Sequence, residues 1–386
     1  MSASKTADVL FELGCEELPA GQLTIMAEAL HHSVAQGLEA AGLSFEYSQW
    51  YATPRRLAVQ ICGLITEAPD TEQEILGPPA SAAKDAEGNW TQAALGFARK
   101  QGLEASDLAI LETTKGPRIG VTLTLPGAKA RTLLPELLDA AVAAMPIVKR
   151  MRWGRGRNEF LRPVQWLVAL IDDDILPLQL FNLQAGRETR GHRFHHPEPV
   201  VLNNASSYAA SLESAFVIAD FGKRKALIQQ QVSHSAEDVG ATAVIGDDLL
   251  EEVTGLVEWP VALRGSFDET FLQVPAEALI SSMKEHQKYF HLVDSKGDLL
   301  PLFITVANLA SRDPATVIRG NEKVIRPRLS DAAFFFNNDK KTPLEDRRQR
   351  LSGVVFQNKL GTLEDKTQRV EALAGWLAKQ LSADEN

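Results

Sequence analysis

The 386-residue sequence has only two cysteines, Cys15 and Cys62. Two thiols cannot make a four-ligand zinc site, and a disulfide framework uses more, so both are expected to be reduced. No stretch approaches the roughly 18–20 apolar residues that a membrane helix needs. The opening MSASKTADVLFELGCEELP lacks the basic start, apolar run and small-residue cleavage site of a secretory signal. A cytoplasmic protein without membrane contact is therefore expected. Nucleotide signatures are missing as well: neither G-x-x-x-x-G-K-[ST] nor a G-x-G-x-x-G after a strand occurs. There is no G-x-S-x-G nucleophile elbow. Net positive charge is also lacking, since 50 acidic residues outweigh 40 basic ones and leave −10. Binding to a polyanion through bulk charge is excluded, and any such contact must come from local basic patches.

What is present reads as an ordinary globular chain, 45% hydrophobic and 23% charged, long enough for two or three domains. An apolar run at 7–13 predicts a strand, and Leu23, Met26, Leu30, Val34 and Leu38 recur at helical spacing over 22–41. Strands are expected at 57–65 and 119–125, helices at 91–101 and 132–144, and a loop over 69–89. After Pro146, two β-prone runs at 163–171 and 175–181 flank Asp172-Asp173-Asp174 and suggest a hairpin. The triple aspartate fits a solvated turn better than a metal cluster. Helices are expected at 223–239, 247–254 and 276–285, and strands at 261–264 and 303–306. In the tail, Leu363, Val370, Leu373, Leu377 and Leu381 lie on one helical face, with Thr362 and Asp365 placed as a capping box. An amphipathic helix with nothing after it implies a helical domain that begins here and is cut off. These elements indicate a multi-domain fold, α/β to α+β, with mixed sheets packed against helices and segments 1–145, 146–340 and 341–386.

Charge is unevenly distributed. Positions 149–162 hold six basic residues against one acid, with Trp153 among them, and Arg187, Arg190 and Arg193 follow. Positions 319–350 hold nine basic residues against five acidic ones. Arginines interleaved with aromatic rings suit phosphates and unpaired bases. A solvated basic face, or a surface docking an acidic partner, explains the same charge equally well. The histidines of HRFHH (192–196) have no nearby cysteine and sit beside Arg193, which would repel a cation, so no metal site is expected. Glu16 and Glu17, adjacent on extended chain, point apart and are expected to cap a turn rather than share catalysis.

Nine blocks, in order along the chain, carry a resemblance that composition cannot supply. They are FELGCEELP (11–19), ATPRRLAV (52–59), MRWG (151–154), RGHRF (190–194), LVEWP (256–260), VPAEAL (274–279), QKYF (287–290), GNEKVIRPRLSDAAFFF (320–336) and QNKLGTLEDKTQR (357–369). Each is weak alone; the ordered set resembles glycyl-tRNA synthetase β subunits over essentially the whole chain. Cys15 is a small departure, where threonine would be the commoner residue. The resemblance implies an assembly of two α and two β subunits, with ATP, magnesium and glycine bound by the α subunit and no cofactor in this chain. It further implies glycine tRNA as a partner, a middle portion similar to the editing-type domain of phenylalanyl-tRNA synthetase β subunits, and a tail that opens an HD-like helical domain.

The reading that follows is a non-activating module that binds tRNA and assembles with a catalytic α subunit. A tRNA-editing hydrolase, for which only scattered groups such as Glu285 and His286 are on offer, and a module that docks an acidic protein partner are the alternatives. Candidate RNA-binding residues are Arg150, Arg152, Trp153, Arg155, Arg157, Arg190, His192, Arg193 and Lys288. Candidate structural or subunit-contact residues are Arg55, Arg56, Arg326 and Arg328. MRWGRGR contains glycines and should be loop-like, free to follow a phosphate backbone. Arg326 and Arg328 flank Pro327 and are better placed for fixed salt bridges. No catalytic residue is expected.

Overall fold

The computed structural model describes residues 5–85, 88–114 and 116–383. The chain forms two compact units: one extends through Ala226 and takes in Glu251–Pro260, and the other comprises Leu227–Leu250 and the chain from Val261 onward. The limits suggested by composition, near 145 and 340, fall inside these units rather than between them. Strands are paired antiparallel in every named sheet, and ten α-helices are present among the described residues. None of them is long and apolar enough to cross a membrane.

The first unit is built on β1 (Thr6–Cys15), whose run VLFELGC is buried on both faces. Alternation along the strand divides two cores. Val9, Phe11 and Leu13 face one side, where α1 (Ala20–Ala40) packs Leu23, Met26, Leu30, Val34 and Leu38 against them. Leu10 faces the other side. A tight hairpin follows, β2 (Tyr47–Thr53) and β3 (Arg56–Ile65), joined through Pro54 and Arg55.

A second sheet comes next, from β4 (Thr71–Pro79), helix α2 (Gln92–Lys100), β5 (Ala109–Leu111) and β6 (Arg118–Leu125), with order β4-β6-β5. The expected loop over 69–89 is thus corrected, since its first half is β4. Its sequence TEQEILGPP shows little apolar alternation, and pairing with β6 rather than its own pattern makes it a strand. α3 (Ala130–Ala143) returns to the first sheet and packs on α1, where a Cβ at Gly37 would come within 2.8 Å of Leu137.

Two short strands, β7 (Met151–Arg152) and β8 (Glu159–Phe160), pair with each other. β9 (Val164–Ile171) then hydrogen-bonds to β1, so the chain beyond Pro146 completes the first sheet. β10 (Asp174–Ile175) closes its edge, giving the order β10-β9-β1-β3-β2. The aspartates do form a turn, in which Asp172 Oδ1 accepts from the Asp8 N–H at 2.8 Å. The hairpin expected from 175–181 is shorter. β11 (Gln179–Leu180) leaves it to pair with β12 (Leu183–Gln184) through Phe181 and Asn182, both at positive φ as such a turn requires. β13 (Glu188–Arg190), β14 (Pro199–Val201) and α4 (Tyr208–Ser214) cover the second face of the sheet with Leu202, Ala205, Tyr208 and Leu212.

α5 (Phe221–Glu237) leads into the second unit. β15 (Thr242–Ala243), α6 (Asp247–Thr254) and β16 (Val261–Ser266) are followed by α7 (Ala276–Ser281), which continues as a π-helical turn over Ser282–Gln287. β17 (Phe290–Val293) and β18 (Leu299–Ala307) complete a sheet of order β15-β17-β18-β16. α8 (Pro314–Asp339) begins with Asp313 accepting from the Thr316 N–H and Pro314 in the first turn. It buries Ile325 and Leu329 with Leu279, Met283 and Phe303, despite Pro327 in its interior. α9 (Leu344–Arg348), β19 (Val355–Gln357), β20 (Gly361–Thr362) and α10 (Leu363–Gln380) end the described chain.

The capping box at Thr362 and Asp365 is formed in both directions. The apolar face of α10 stays open, with Val370, Leu373 and Leu377 each about half exposed or more. Packing of an apolar face is the main source of helix stability in proteins. Backbone amides of α10 are therefore expected to exchange with solvent much faster than those of β9, measured by hydrogen exchange with mass spectrometry. Equal protection of the two would refute this view.

Candidate functional site

On the second face of the first sheet, β1 carries Glu12 where its neighbours are apolar, and Glu12 is fully buried. A carboxylate withdrawn from water this way needs a cation and hydrogen-bond donors. Arg56, also fully buried, supplies the cation: Nη1 lies 3.7 Å from Glu12 and Nη2 3.2 Å from Glu258. The Thr189 hydroxyl accepts from Arg56 at 3.1 Å and donates to Glu12 at 2.6 Å. The Thr53 hydroxyl accepts from Arg56 Nε at 3.3 Å and donates to Glu258 at 2.7 Å. The Tyr208 hydroxyl and the Trp166 indole N–H donate to Glu12.

Strand register assembles this network. Gly14 pairs with Arg56 on β3 and with Trp166 on β9, so the three lie abreast. A Cβ at Gly14 would fall 1.8 Å from the Trp166 ring, so only glycine lets the indole lie across the central strand. The ring then meets both neighbouring guanidinium groups, 5.5 Å from Arg55 and 5.7 Å from Arg56. Arg224, fully buried, sits beyond, donating to the carbonyls of Ala52 at 2.6 Å, Thr254 at 3.1 Å and Ile218.

The electrostatics follow from burial and pairing. Burial by itself pushes the Glu258 carboxyl up, but attraction to Arg56 and the Thr53 hydrogen bond outweigh it and hold the carboxyl below its usual range. Burial disfavours charge on Arg56 as well, yet Glu258 and Glu12 keep its guanidinium more basic than usual. Arg224 has carbonyl partners instead, and burial brings it down to about 10. Tyr208 is raised far above its usual value by burial and by Glu12. Arg56 and Glu258 therefore stay charged at neutral pH. Both carboxylates are enclosed and engaged, so the network acts as a lock that holds chain segments together.

The placement of the sequence candidates sorts them. Arg56 is structural, at the centre of the lock. Arg55 is half-buried at its rim, where Nε and Nη1 are enclosed without an acceptor. His192 is buried, and its Nδ1 accepts from the N–H groups of Phe194 and His195, so its ring organises a loop. Arg193 is exposed and lies 3.4 Å from Glu16 and 3.6 Å from Glu17. Arg190 lines a cavity of about 410 Å³ with Trp166 and Arg187.

Arg150, Arg155 and Arg157 are exposed around the β7–β8 hairpin. MRWGRGR is not wholly a loop: its first two residues form β7, and Arg152 is ion-paired with Glu159. Trp153 is partly buried, 5.7 Å from Phe181. In the second unit, Lys288 has a left-handed backbone, φ 58°, just after the π-helical turn that exposes Glu285 and His286. Arg326 and Arg328 point to solvent on α8, and neither is in an ion pair within 4.0 Å among the described residues. The fixed salt bridges expected of them are absent, because the helix turns Ile325 and Leu329 inward instead.

Sequence reasoning missed Glu12, Thr53, Trp166, Thr189, Tyr208, Arg224 and Glu258 as a set. One signal was available: Glu12 interrupts an otherwise apolar strand, and a buried carboxylate demands a buried cation. Three of the blocks noted above serve this lock. FELGCEELP brings Glu12, ATPRRLAV brings Thr53 and Arg56, and LVEWP brings Glu258. Among the described residues, no group of His, Cys, Asp and Glu is placed to hold a metal ion.

A sequence model of the glycyl-tRNA synthetase beta subunit family matches residues 9–386. The glycine–tRNA ligase beta subunit of Chromohalobacter salexigens is 53% identical over 377 residues, which is 97% of this chain and 54% of that protein. The corresponding subunit of Azotobacter vinelandii is 50% identical over 98% of this chain and 54% of its own length. That of Pseudomonas entomophila is 50% identical over 96% and 54%. The chain thus spans about half the length of the curated relatives it matches.

Breaking the lock strands a buried charge. Arg56→Met is expected to lower unfolding stability in urea by about 3–5 kcal/mol. Arg326→Ala, at an exposed position, should change it by less than about 0.5 kcal/mol. The lock is also sensitive to acid. Glu258 has a folded pKa below its unfolded value of about 4.3. Its contribution is present above that value and is lost as pH falls through the folded pKa. Stability should drop on acidification below about pH 4.3, and Glu258→Gln should flatten that drop. A mutant with the wild-type acid profile would contradict the assignment.

Proposed function

The chain belongs to the glycyl-tRNA synthetase β-subunit family, and from that premise we propose that it is the non-activating subunit of a glycine–tRNA ligase. In this reading it binds glycine tRNA and assembles with a catalytic α subunit, in an α2β2 tetramer of the cytoplasm. ATP, magnesium and glycine belong to the α subunit. Family membership over residues 9–386 carries the reading. The residues of this chain support it, since their buried charges are spent on holding the fold and their exposed arginines gather on short hairpins and loops.

The division of labour is physical. The buried carboxylates Glu12 and Glu258 are saturated by Arg56, Thr53, Thr189 and Tyr208 and have no capacity left for general acid–base work. Exposed Arg150, Arg155 and Arg157, with Arg152 at their edge, offer cations at the hairpin that phosphates can reach. In a chain of net charge −10, such local patches are where an RNA backbone would be tolerated.

Two measurements test the proposal. Incubated with ATP, glycine and labelled pyrophosphate, the chain alone should give no exchange above background, whereas adding the α subunit should produce it. Robust exchange by this chain alone would refute the non-activating role. Neutralising Arg152, Arg155 and Arg157 together should weaken tRNA binding and lower the slope of log K against log salt by about 0.7–0.9 per lost phosphate contact. Thermal stability should hardly change, because exposed charges contribute little. Unaltered affinity and slope would remove the hairpin from the tRNA-binding surface.

A further inference from the structure

Five aromatic rings lie in a row on the first unit, beside the lock. Phe194, His192, His195, Phe216 and Trp259 follow one another with centroid separations of 6.2, 4.8, 4.9 and 5.2 Å. Three separate segments supply them: the loop after β13, the end of α4, and the LVEWP stretch. His192 is buried, His195 and Trp259 are partly exposed, Phe216 is 37% exposed and Phe194 72%. Buried His192 thus stands between exposed Phe194 on one side and the partly exposed rings of His195, Phe216 and Trp259 on the other.

Phe216 is the informative member. α4 ends with the Val217 N–H donating to Leu212 O at 2.9 Å and the Phe216 N–H donating to Glu213 O at 3.1 Å. This pairing places Phe216 at the left-handed position of a helix C-terminus, with φ 61°. Glycine is the favoured residue there, because a Cβ crowds the neighbouring carbonyl. A bulky side chain is held in a strained backbone at a place where the fold alone would favour none, and such outliers concentrate at functional sites. The surrounding backbone is pinned: the His192 N–H donates to Ala215 O at 2.9 Å and the Ile218 N–H to Glu258 O at 3.0 Å. The rings are thus presented in a fixed order before any ligand arrives.

Arginines border the row. Arg193 lies within it in sequence, Arg190 precedes it by two residues, and half-buried Arg55 is near enough to feel the charges of Arg193 and Glu258. Exposed aromatic faces edged by arginine match unpaired nucleotides, whose bases stack and whose phosphates meet the cations. Duplex RNA hides its base faces and cannot use them. We propose that Phe194, His195, Phe216 and Trp259 form a stacking platform for a single-stranded segment of RNA. This rests on the tRNA-binding reading above and deepens it by naming the part of the RNA that is held.

The test uses Phe216→Gly and Phe194→Ala in the full chain, titrated with a fluorescent single strand of about eight nucleotides and with a duplex of the same length. Phe216→Gly should keep or raise the melting temperature, since glycine relieves the left-handed backbone, and Phe194→Ala should leave it unchanged. Each variant should bind the single strand roughly 5- to 150-fold more weakly. The salt slope should stay at the wild-type value, because no phosphate contact is lost. Wild-type affinity in both variants, or a loss accompanied by a lower slope, would overturn the platform. So would capture of the α subunit that fails in the variants while single-strand binding persists, since the row would then be a protein contact. If the variants bind the single strand normally while the triple arginine change still weakens tRNA binding, the platform falls and the tRNA-binding reading stands. A wild-type chain that binds neither RNA would remove both.

Discussion

The first unit depends on the burial of one arginine between two carboxylates. Arg56 has no exposed surface, and its partners Glu12 and Glu258 are separated from it by 44 and 202 positions of chain. Withdrawing ions from water costs several kcal/mol each, and their mutual attraction returns this only when the geometry and the remaining hydrogen bonds are complete. Here they are complete: two threonine hydroxyls each accept from the guanidinium and donate to a carboxylate, while a tyrosine and a tryptophan engage Glu12. Such a network ties strands β1, β3 and β9 to the LVEWP segment.

That constraint explains why residues look functional in sequence yet are not free to act. Arg55 and Arg56 are neighbours, but the turn between β2 and β3 sends Arg56 into the lock and leaves Arg55 at the rim. His192 and Arg193 are neighbours too. The first turns in to cap its own loop and the second turns out to Glu16 and Glu17. Alternation over a single residue therefore separates a structural from a surface role.

The lock also fixes what lies above it. Glu258 is held by Arg56 through its side chain and by the Ile218 N–H through its carbonyl, so the Trp259 and Phe216 rings are set by the same network. His192 joins them through Ala215. A surface of aromatic rings is thereby carried on hydrogen-bonded backbone, where a strained left-handed phenylalanine can be sustained.

Much of this was legible in the sequence. Apolar periodicity located β1, α1, β3, α3 and α5 within a few residues, because burial of one face is written directly into residue spacing. The capping box at Thr362 and Asp365 was readable for the same local reason. The ordered blocks identified the family before any fold was known. Strand β4 was not legible, since its partner β6 decides its conformation; nor was α8, whose Gly320 and Pro327 argue against a helix that packing of Ile325 and Leu329 nevertheless sustains. The site was the least legible. Residue order alone places Glu12 in a mainly apolar strand and makes the basic charge local. Folding is what brings Arg56 and Glu258 to it and sets Phe194, Phe216 and Trp259 in one row. These are contacts between distant segments, and a chain records the need for a partner long before it records which partner meets it.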